Sequence, residues 1–277
     1  MSSPTPAPNS AITPSLTERR KAETRMQIAR SAAALFVRQG LRATRAEDIA
    51  HAAGIAPRTF YRYFATKEEA VAPLYAAGAE RWVQAVQLAP AHLSVPEVLE
   101  HAVRHTLTPG TAASASSWEW VRTLIRLAGS SPALGKVWAE VCHATEDTLA
   151  RVLAERLVGG GSEGAGAESV AVEGAAVQGA AVQGVAAEGA AVESVAAESV
   201  AAEGAAVEGV AHGSDNVAGR PELRFAAAVA GAAVRVAVES WAAGRARPQG
   251  PEGPAELALR NLAVLRDFPW GEVARGD

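Results

Sequence analysis

The chain has 277 residues, 49% of them apolar, and a formal net charge of −4, so it is long enough to bury a hydrophobic core. Its single cysteine, Cys142, excludes a disulfide framework, and we expect a small buried hydrophobe in a reducing, cytoplasmic protein rather than a nucleophile. The first 16 residues lack the basic start and apolar run of a signal peptide, and Arg235 interrupts the longest apolar stretch, so we expect no membrane span.

Charge is unevenly distributed along the chain. Residues 17–70 contain eleven Lys and Arg against six Asp and Glu, a net of +5, which leaves −9 for the rest. A basic N-terminal module joined to an acidic body predicts that only the first part meets a polyanion.

The N-terminal elements begin at capping patterns. Ser15 with Glu18 predicts the start of a first helix, which Gly40 ends. Thr44 with Glu47 predicts a second capping box, opening a helix through about Ala53.

A glycine corner and two further helices follow. Gly54 supplies a turn and Pro57 occupies a first helical position, while Phe60 and Phe64 face inward one turn apart. A third capping box, Thr66 with Glu69, starts the next helix.

The pattern beyond Pro90 remains helical. It predicts helices at about 95–107, 115–129, 133–157, 221–243 and 253–267, and no alternating strand pattern is present. We therefore predict an all-α fold.

Residues 159–219 differ in composition. From Ala171 to Val210 the sequence repeats a five-residue unit eight times, and a period of five keeps no single helix or strand face apolar. We predict a low-complexity disordered insertion. The predicted organisation is a disordered tail (1–16), a helix-turn-helix domain (17–70) and a helical body (71–158 and 220–270) that the insertion interrupts.

The stretch TRAEDIAHAAGIAPRTFYRYFATKEEAV, residues 44–71, has the helix, glycine corner and second helix of a helix-turn-helix unit. Its second helix shows Arg58, Thr59, Tyr61 and Arg62 outward, and Arg58 suits a guanine edge. Arg45 and Lys67 lie at helix starts, where free backbone N–H groups favour phosphate. The alternative is a solvated helical hairpin with ordinary surface charge.

This stretch also resembles the N-terminal domain of TetR-type transcriptional regulators, above all in IAPRTFYRYFATKEE, residues 55–69. The resemblance implies an all-α homodimeric repressor of a palindromic operator, with a variable C-terminal domain for ligand and dimerisation. Ala56 departs from the pattern, because a hydroxyl residue is common there. Our candidate DNA-binding residues are Thr44, Arg45, Pro57, Arg58, Thr59, Tyr61, Arg62 and Lys67.

The body resembles, more weakly, the TetR subfamily whose C-terminal domain is described as acyl-CoA-like ligand-binding. The similarity lies in residues 126–157 and in ESWAAG, residues 239–244. Arg122 and Arg126 share a helix face and suit a phosphate or carboxylate, although pairing with Glu119 is an equal alternative. Several tryptophans lie on the helices that would enclose a cavity, or form plain core. Our candidate ligand-binding residues are Trp118, Arg122, Arg126, Trp138 and Trp241.

Two further features carry weaker hypotheses. Glu97, His101 and His105 share a helix face, yet their geometry is stretched for a metal, so we predict an exposed polar stripe, no metal and no cofactor. Residues 223–241 are rich in small side chains, and with the last helix they suit a dimer interface that enlarging Gly231 should weaken.

We therefore predict a DNA-binding repressor, and not an enzyme, that a small-molecule effector releases from double-stranded DNA. The alternatives are a DNA-binding protein without ligand response and a helical enzyme hidden in the body. No nucleophile–base motif, phosphate loop or metal cluster in the sequence supports the enzyme.

Overall fold

The structure is a computed structural model that describes residues 15–108, 115–160 and 220–270. In this part of the chain nine α-helices and two short 3₁₀ turns are present and no strand, which confirms the all-α prediction. The predicted tail and repeat insertion lie almost entirely outside the described residues. The helices are α1 (Leu16–Gln39), α2 (Ala46–Ala52), α3 (Pro57–Tyr63), α4 (Ala72–Gln87), α5 (Val95–Leu107), α6 (Ala115–Ser130), α7 (Pro132–Gly160), α8 (Pro221–Ala243) and α9 (Pro254–Leu262).

The two 3₁₀ turns are Glu69–Val71, directly before α4, and Ala263–Leu265, directly after α9. We call residues 16–71 the head and the described residues of α4 to α9 the body. In the head, α2 packs on α3 and α1 packs on α2. In the body, α4 packs on α5 and α7, α7 on α6 and α8, and α9 on α5 and α8.

Local capping explains where α1 begins and ends. The Ser15 hydroxyl accepts a hydrogen bond from the Glu18 N–H at 3.2 Å, as the sequence pattern predicts. Gly40 ends the helix with φ +83°, and its N–H donates to the Phe36 carbonyl at 3.0 Å. A side chain at this φ would be strained, so glycine is favoured there.

The head core continues into the body. Phe36, Ile49 and Phe60 are buried in one cluster with side chains from four body helices, among them Tyr75, Leu124, Leu134 and Trp241. A second cluster fills the rest of the body, from Val86 and Leu99 to Leu153 and Leu262. The shared first cluster gives a direct packing path from the body to the head.

Helix α8 is central to the body. It buries Leu223, Trp241 and six alanines, and it packs against α6, α7 and α9. An 18-residue window of this helix has a mean hydropathy of 1.3, so by length and composition alone it would also suit a membrane span, although Arg235 lies in the helix. Its packing against three neighbours is that of a core helix.

Gly231 of α8 lies against α7 of the same chain. A β-carbon built on Gly231 would come within 3.0 Å of the Glu146 Cγ. Enlarging Gly231 would therefore also disturb the α7–α8 crossing, so such a change does not report on dimerisation alone.

Candidate nucleic-acid interface

The corner between α2 and α3 depends on backbone geometry. Gly54 has φ +68°, and the Ile55 N–H donates to the Ala50 carbonyl at 2.9 Å. Pro57 then takes the first position of α3, where a missing N–H costs nothing. The turn and the fixed φ of proline together set the direction in which α3 leaves the corner.

Helix α3 has a buried side and an exposed side. Phe60 is buried, and its ring lies 5.8 Å from that of Phe64, which is also buried. On the other side Arg58, Tyr61 and Arg62 are exposed and Thr59 is half-buried. These four line a shallow open depression with Ala56. Phe60 and Phe64 therefore face inward, and Arg58, Thr59, Tyr61 and Arg62 lie on the other side, as the sequence predicts.

Arg45, and not Thr44, is the N-cap of α2. The Arg45 N–H donates to the Asp48 carboxylate at 2.9 Å, and the Arg45 side chain is exposed. Thr44 is fully buried, since its hydroxyl donates to the Gly40 carbonyl at 2.9 Å and accepts from the Gln39 amide at 3.2 Å. This corrects both the predicted Thr44 capping box and Thr44 as a DNA-binding residue.

Lys67 is bound to the loop that precedes α2. Its Nζ donates to the carbonyls of Leu41 and Thr44, each at 2.7 Å. With two of its three donors used inside the chain, Lys67 holds the loop that presents Arg45. Any phosphate contact it makes is limited to the remaining donor.

Arg25 and Gln27 of α1 hold the helix-turn-helix unit, and the sequence reasoning missed both. Arg25 donates to the Tyr63 carbonyl at 3.3 Å, and its guanidinium lies 4.8 Å from the Phe64 ring centroid. The Gln27 amide donates to the Ala53 carbonyl at 3.2 Å. Helical spacing gives a signal for Arg25, because it lies on the face that buries Ala29, Ala32 and Phe36.

Glu47 lies among the exposed cations and was also missed. Its carboxylate accepts a long hydrogen bond from the Tyr61 hydroxyl at 3.4 Å and is 3.7 Å from the Arg45 Nε. Glu47 thus contacts two residues that we predicted to meet DNA, one on α2's N-terminus and one on α3.

The comparisons with known proteins concern this same unit. Residues 28–72, from the middle of α1 to the start of α4, match the model of the bacterial regulatory proteins of the tetR family. In this segment the chain is similar to the tetR family. It is 31% identical over 145 residues to the HTH-type transcriptional regulator TcmR of Streptomyces glaucescens, a match over 52% of this chain and 64% of that regulator.

A solved TetR-family structure also aligns with the chain. It is Thermus thermophilus FadR, a transcriptional repressor in complex with lauroyl-CoA, at 20% identity over 88% of this chain and 94% of that one. The TM-score is 0.44, so the alignment carries no argument about a ligand of this chain.

In the body of the chain, Arg122 contacts other groups of the same chain on three sides. Arg122 is 6% exposed, and its Nη1 donates to Glu119 at 2.9 Å while its Nη2 donates to the Ala246 carbonyl. Its guanidinium also lies 4.3 Å from the Trp241 ring centroid. The sequence left two hypotheses for Arg122, an anionic ligand or a pair with Glu119, and the structure contains the pair with Glu119.

Arg126 and Trp138 also bind groups of the chain itself. Arg126 donates to the carbonyls of Ala242 and Gly244 at 2.9 and 3.0 Å, and so caps the C-terminus of α8. The Trp138 Nε1 donates to the Glu239 carboxylate at 2.6 Å. Neither contact requires a ligand, which leaves the predicted role of both residues open.

The five predicted ligand-binding residues are not all brought together. The rings of Trp118 and Trp241 meet edge to face at 5.5 Å, next to Arg122. The Trp138 ring instead lies 5.1 Å from Tyr75. Burial raises the pKa of the Tyr75 hydroxyl, which donates to the Leu124 carbonyl at 3.1 Å and so joins α4 to α6.

The residues of the predicted polar stripe, Glu97, His101 and His105, are exposed. Glu97 accepts from the Ser94 hydroxyl and N–H at 2.7 and 2.8 Å, and these bonds lower its pKa. The rings of His101 and His105 are parallel, 6.3 Å apart. In the described ranges no group of three His, Cys, Asp or Glu residues is placed to hold a metal ion. Burial raises the pKa of the Cys142 thiol to about 12, which keeps it neutral at physiological pH.

Proposed function

We propose that this protein is a homodimeric transcriptional repressor that binds a palindromic operator in double-stranded DNA and is released by a small-molecule effector. The observation that carries the proposal is the two-sided α3, which buries Phe60 while exposing Arg58, Tyr61 and Arg62. In this arrangement α3 lies in the major groove, Arg58 reads a base edge, and Arg45 and Tyr61 bind phosphate.

An apolar face of the body supports the dimer. Phe225 and Val236 of α8 are 59% and 44% exposed, and Val264 after α9 is 71% exposed. Phe268 stacks beside Phe225 at 6.4 Å and extends the same patch. A second copy covering this face would give a dimer with two α3 helices, one for each half-site of a palindrome. We expect Phe225→Glu to give a monomer in sedimentation velocity.

Packing supports ligand response. Helix α1 contacts both α4 and α6, and Tyr75 joins these two body helices. A ligand that binds one arrangement of α4 and α6 more tightly than another would shift the head between states that fit and do not fit DNA. Lauroyl-CoA is the ligand of FadR, and an acyl-CoA-like effector for this chain stays a prediction from its sequence.

Selection of duplexes from a random pool, followed by gel shift, tests the DNA-binding part. We expect one palindromic sequence to be enriched and its affinity to fall steeply with salt. Arg58→Ala should cost about 1–3 kcal/mol on the selected site and relax preference at one base pair in each half-site. Loss of equal size on every duplex would remove the base-reading role of Arg58.

Arg151→Ala is the matched control, because Arg151 is an exposed arginine of the body. Arg45→Ala is a better phosphate variant than Lys67→Ala, since Lys67 also holds the backbone of the loop. A folded dimer that binds no duplex from the pool at low salt would refute the proposal.

A second candidate is a DNA-binding protein without ligand response. Arg122, Arg126 and Trp138 already have partners in their own chain, which favours it. The two candidates separate when a metabolite extract is added to the protein–DNA complex, because only the first predicts release.

A further inference from the structure

The segment that follows α8 forms an open depression with the beginning of α6. Its volume is about 370 Å³, and it lies on the side of the body where Trp241 enters the head core. The residues that line it include Trp118, Glu119, Arg122, Arg245, Arg247 and Gln249. This volume is sufficient for a small molecule.

The depression is more basic than the body around it. Three arginines line it against one carboxylate, that of Glu119, whereas the described residues of the body hold 14 Lys and Arg against 13 Asp and Glu. Arg245 and Arg247 are exposed, and neither has a hydrogen-bond or ion-pair partner among the described residues. Such a local excess of positive charge attracts an anion.

Two buried donors at the same place have no acceptor. The Nε of Arg122 and the Nε1 of Trp118 are buried and make no hydrogen bond within the described chain. Arg122 is 6% exposed, so its guanidinium is a buried cation with an incomplete set of partners. Buried donors without partners are rare, and each calls for a physical explanation.

We propose that this depression binds a small phosphorylated effector through Arg122, Arg245 and Arg247. Guanidinium groups pair with phosphate oxygens through two parallel hydrogen bonds, and several arginines match the two negative charges of a phosphate monoester. Glu119 occupies Arg122 when the site is empty, and the phosphate replaces this carboxylate. A DNA backbone is the poorer occupant, because a duplex cannot reach a guanidinium buried at the base of a depression.

The position of the site links it to regulation, and this step rests on the proposed function. The Arg122 guanidinium lies 4.3 Å from the Trp241 ring centroid, and Trp241 is buried in the cluster that contains Phe36 and Phe60 of the head. The Trp241 Nε1 also donates to the Ala246 carbonyl at 3.1 Å, which is an acceptor of Arg122. Movement of Arg122 toward a phosphate therefore changes contacts of a residue that packs with the head.

Pyrophosphate binding by the full-length protein tests the site, with isothermal titration at constant ionic strength and chloride as the blank. We expect saturable binding of one pyrophosphate per chain. The double variant Arg245→Gln with Arg247→Gln should weaken it about tenfold or more, since each lost charge-assisted hydrogen bond has a large effect. Arg151→Gln removes an exposed arginine elsewhere and should bind like the wild type. Glu119→Gln should bind more tightly, because the competing carboxylate is removed.

Three results would overturn the site: no saturable binding by the wild type, equal weakening by Arg151→Gln, or weaker binding by Glu119→Gln. Unaltered far-ultraviolet circular dichroism and melting temperature of each variant ensure that these results report on binding. If the Arg245/Arg247 variant lowers DNA affinity and its salt dependence while pyrophosphate does not bind, the depression contacts a DNA backbone and the proposal fails.

A gel shift on the selected duplex, with and without pyrophosphate, separates this inference from the proposed function. If the protein binds pyrophosphate but no duplex, the proposed function is refuted and the phosphate site is supported. If the protein binds the duplex but not pyrophosphate, the phosphate site is refuted and the proposed function is not. Binding of both without mutual effect would overturn the regulatory role of the site.

Discussion

The arginines on the exposed face of the head differ from two arginines of the body in what they bind. Arg45, Arg58 and Arg62 extend into solvent around α2 and α3. Arg126 and Arg156 instead donate to main-chain carbonyls at helix ends. Arg156 alone reaches the carbonyls of Val86, Gln87, Ala89 and Pro90, where α4 ends.

This difference separates two uses of one residue type. A carbonyl at a helix C-terminus lacks an intrahelical donor, so an arginine beside it satisfies the backbone and stabilises the fold. An exposed arginine contributes little to stability and remains available for a phosphate or a base. We therefore expect substitutions of Arg126 and Arg156 to change the free energy of unfolding and substitutions on the exposed face of the head to change DNA affinity.

Phe60→Ala should have the largest effect and tests whether the head depends on its buried side. Phe60 is fully buried, so its removal should lower the free energy of unfolding by about 3–5 kcal/mol. Urea denaturation followed by circular dichroism measures this loss. Tyr61→Phe, which keeps an exposed ring at the next position, should change stability by about 0.5 kcal/mol or less. Similar losses for both variants would show that α3 does not have the two sides we describe.

Arg156→Met tests the structural arginines of the body. Burial lowers the pKa of Arg156, and its loss leaves several carbonyls at the end of α4 without donors. We expect stability to fall by about 2 kcal/mol. Arg151→Met, an exposed position on the same helix, and Arg58→Met in the head should each cost about 0.5 kcal/mol or less. An Arg156 variant as stable as these two would remove the distinction between the two sets of arginines.

A pair of threonines sharpens the comparison within the head. Thr44 is buried with two hydrogen bonds, whereas Thr59 is half-buried on the side of α3 that carries Arg58. Thr44→Val should cost about 1–2 kcal/mol of stability. Thr59→Val should leave the melting temperature near that of the wild type and weaken binding to the selected duplex. A reversed pattern would mean that the two hydroxyls have exchanged roles.

Local patterns predicted most of the fold, and contacts distant in sequence explain the rest. Ser15 caps α1 as expected, because a cap involves residues three apart. Thr66 also bonds the Glu69 N–H, but a 3₁₀ turn follows and α4 begins only at Ala72, which corrects the predicted start of that helix. The N-cap of α2 is Arg45 and not the predicted Thr44, because the Thr44 hydroxyl donates to the Gly40 carbonyl instead.

The arginines of α6 show the limit of local reasoning. Their i, i+4 spacing placed Arg122 and Arg126 on one face, but spacing could not reveal their acceptors. Arg122 binds a carbonyl 124 residues away and Arg126 one 116 residues away. The hydrogen-bonding capacity that suggested a ligand is largely used by the end of α8 and the segment after it.

Glu47→Gln should have the smallest effect and tests whether the exposed face of the head is fully optimised for a polyanion. Glu47 contacts Arg45 and Tyr61, so it competes with phosphate for both. Exposed pairs of this kind contribute about 0.2–1 kcal/mol, and we expect the variant to bind DNA about two- to fivefold more tightly, with unchanged stability. Affinity measured by fluorescence anisotropy on the selected and on a scrambled duplex shows whether specificity falls as affinity rises.

Glu23→Gln is the control for net charge, since Glu23 is exposed on α1. An equal gain from Glu23→Gln would mean that only the total charge of the head matters. A loss of affinity in Glu47→Gln would mean that the carboxylate orients Arg45 and Tyr61 for DNA rather than competing with it. Either result would refute the hypothesis that the Glu47 carboxylate competes with phosphate for Arg45 and Tyr61.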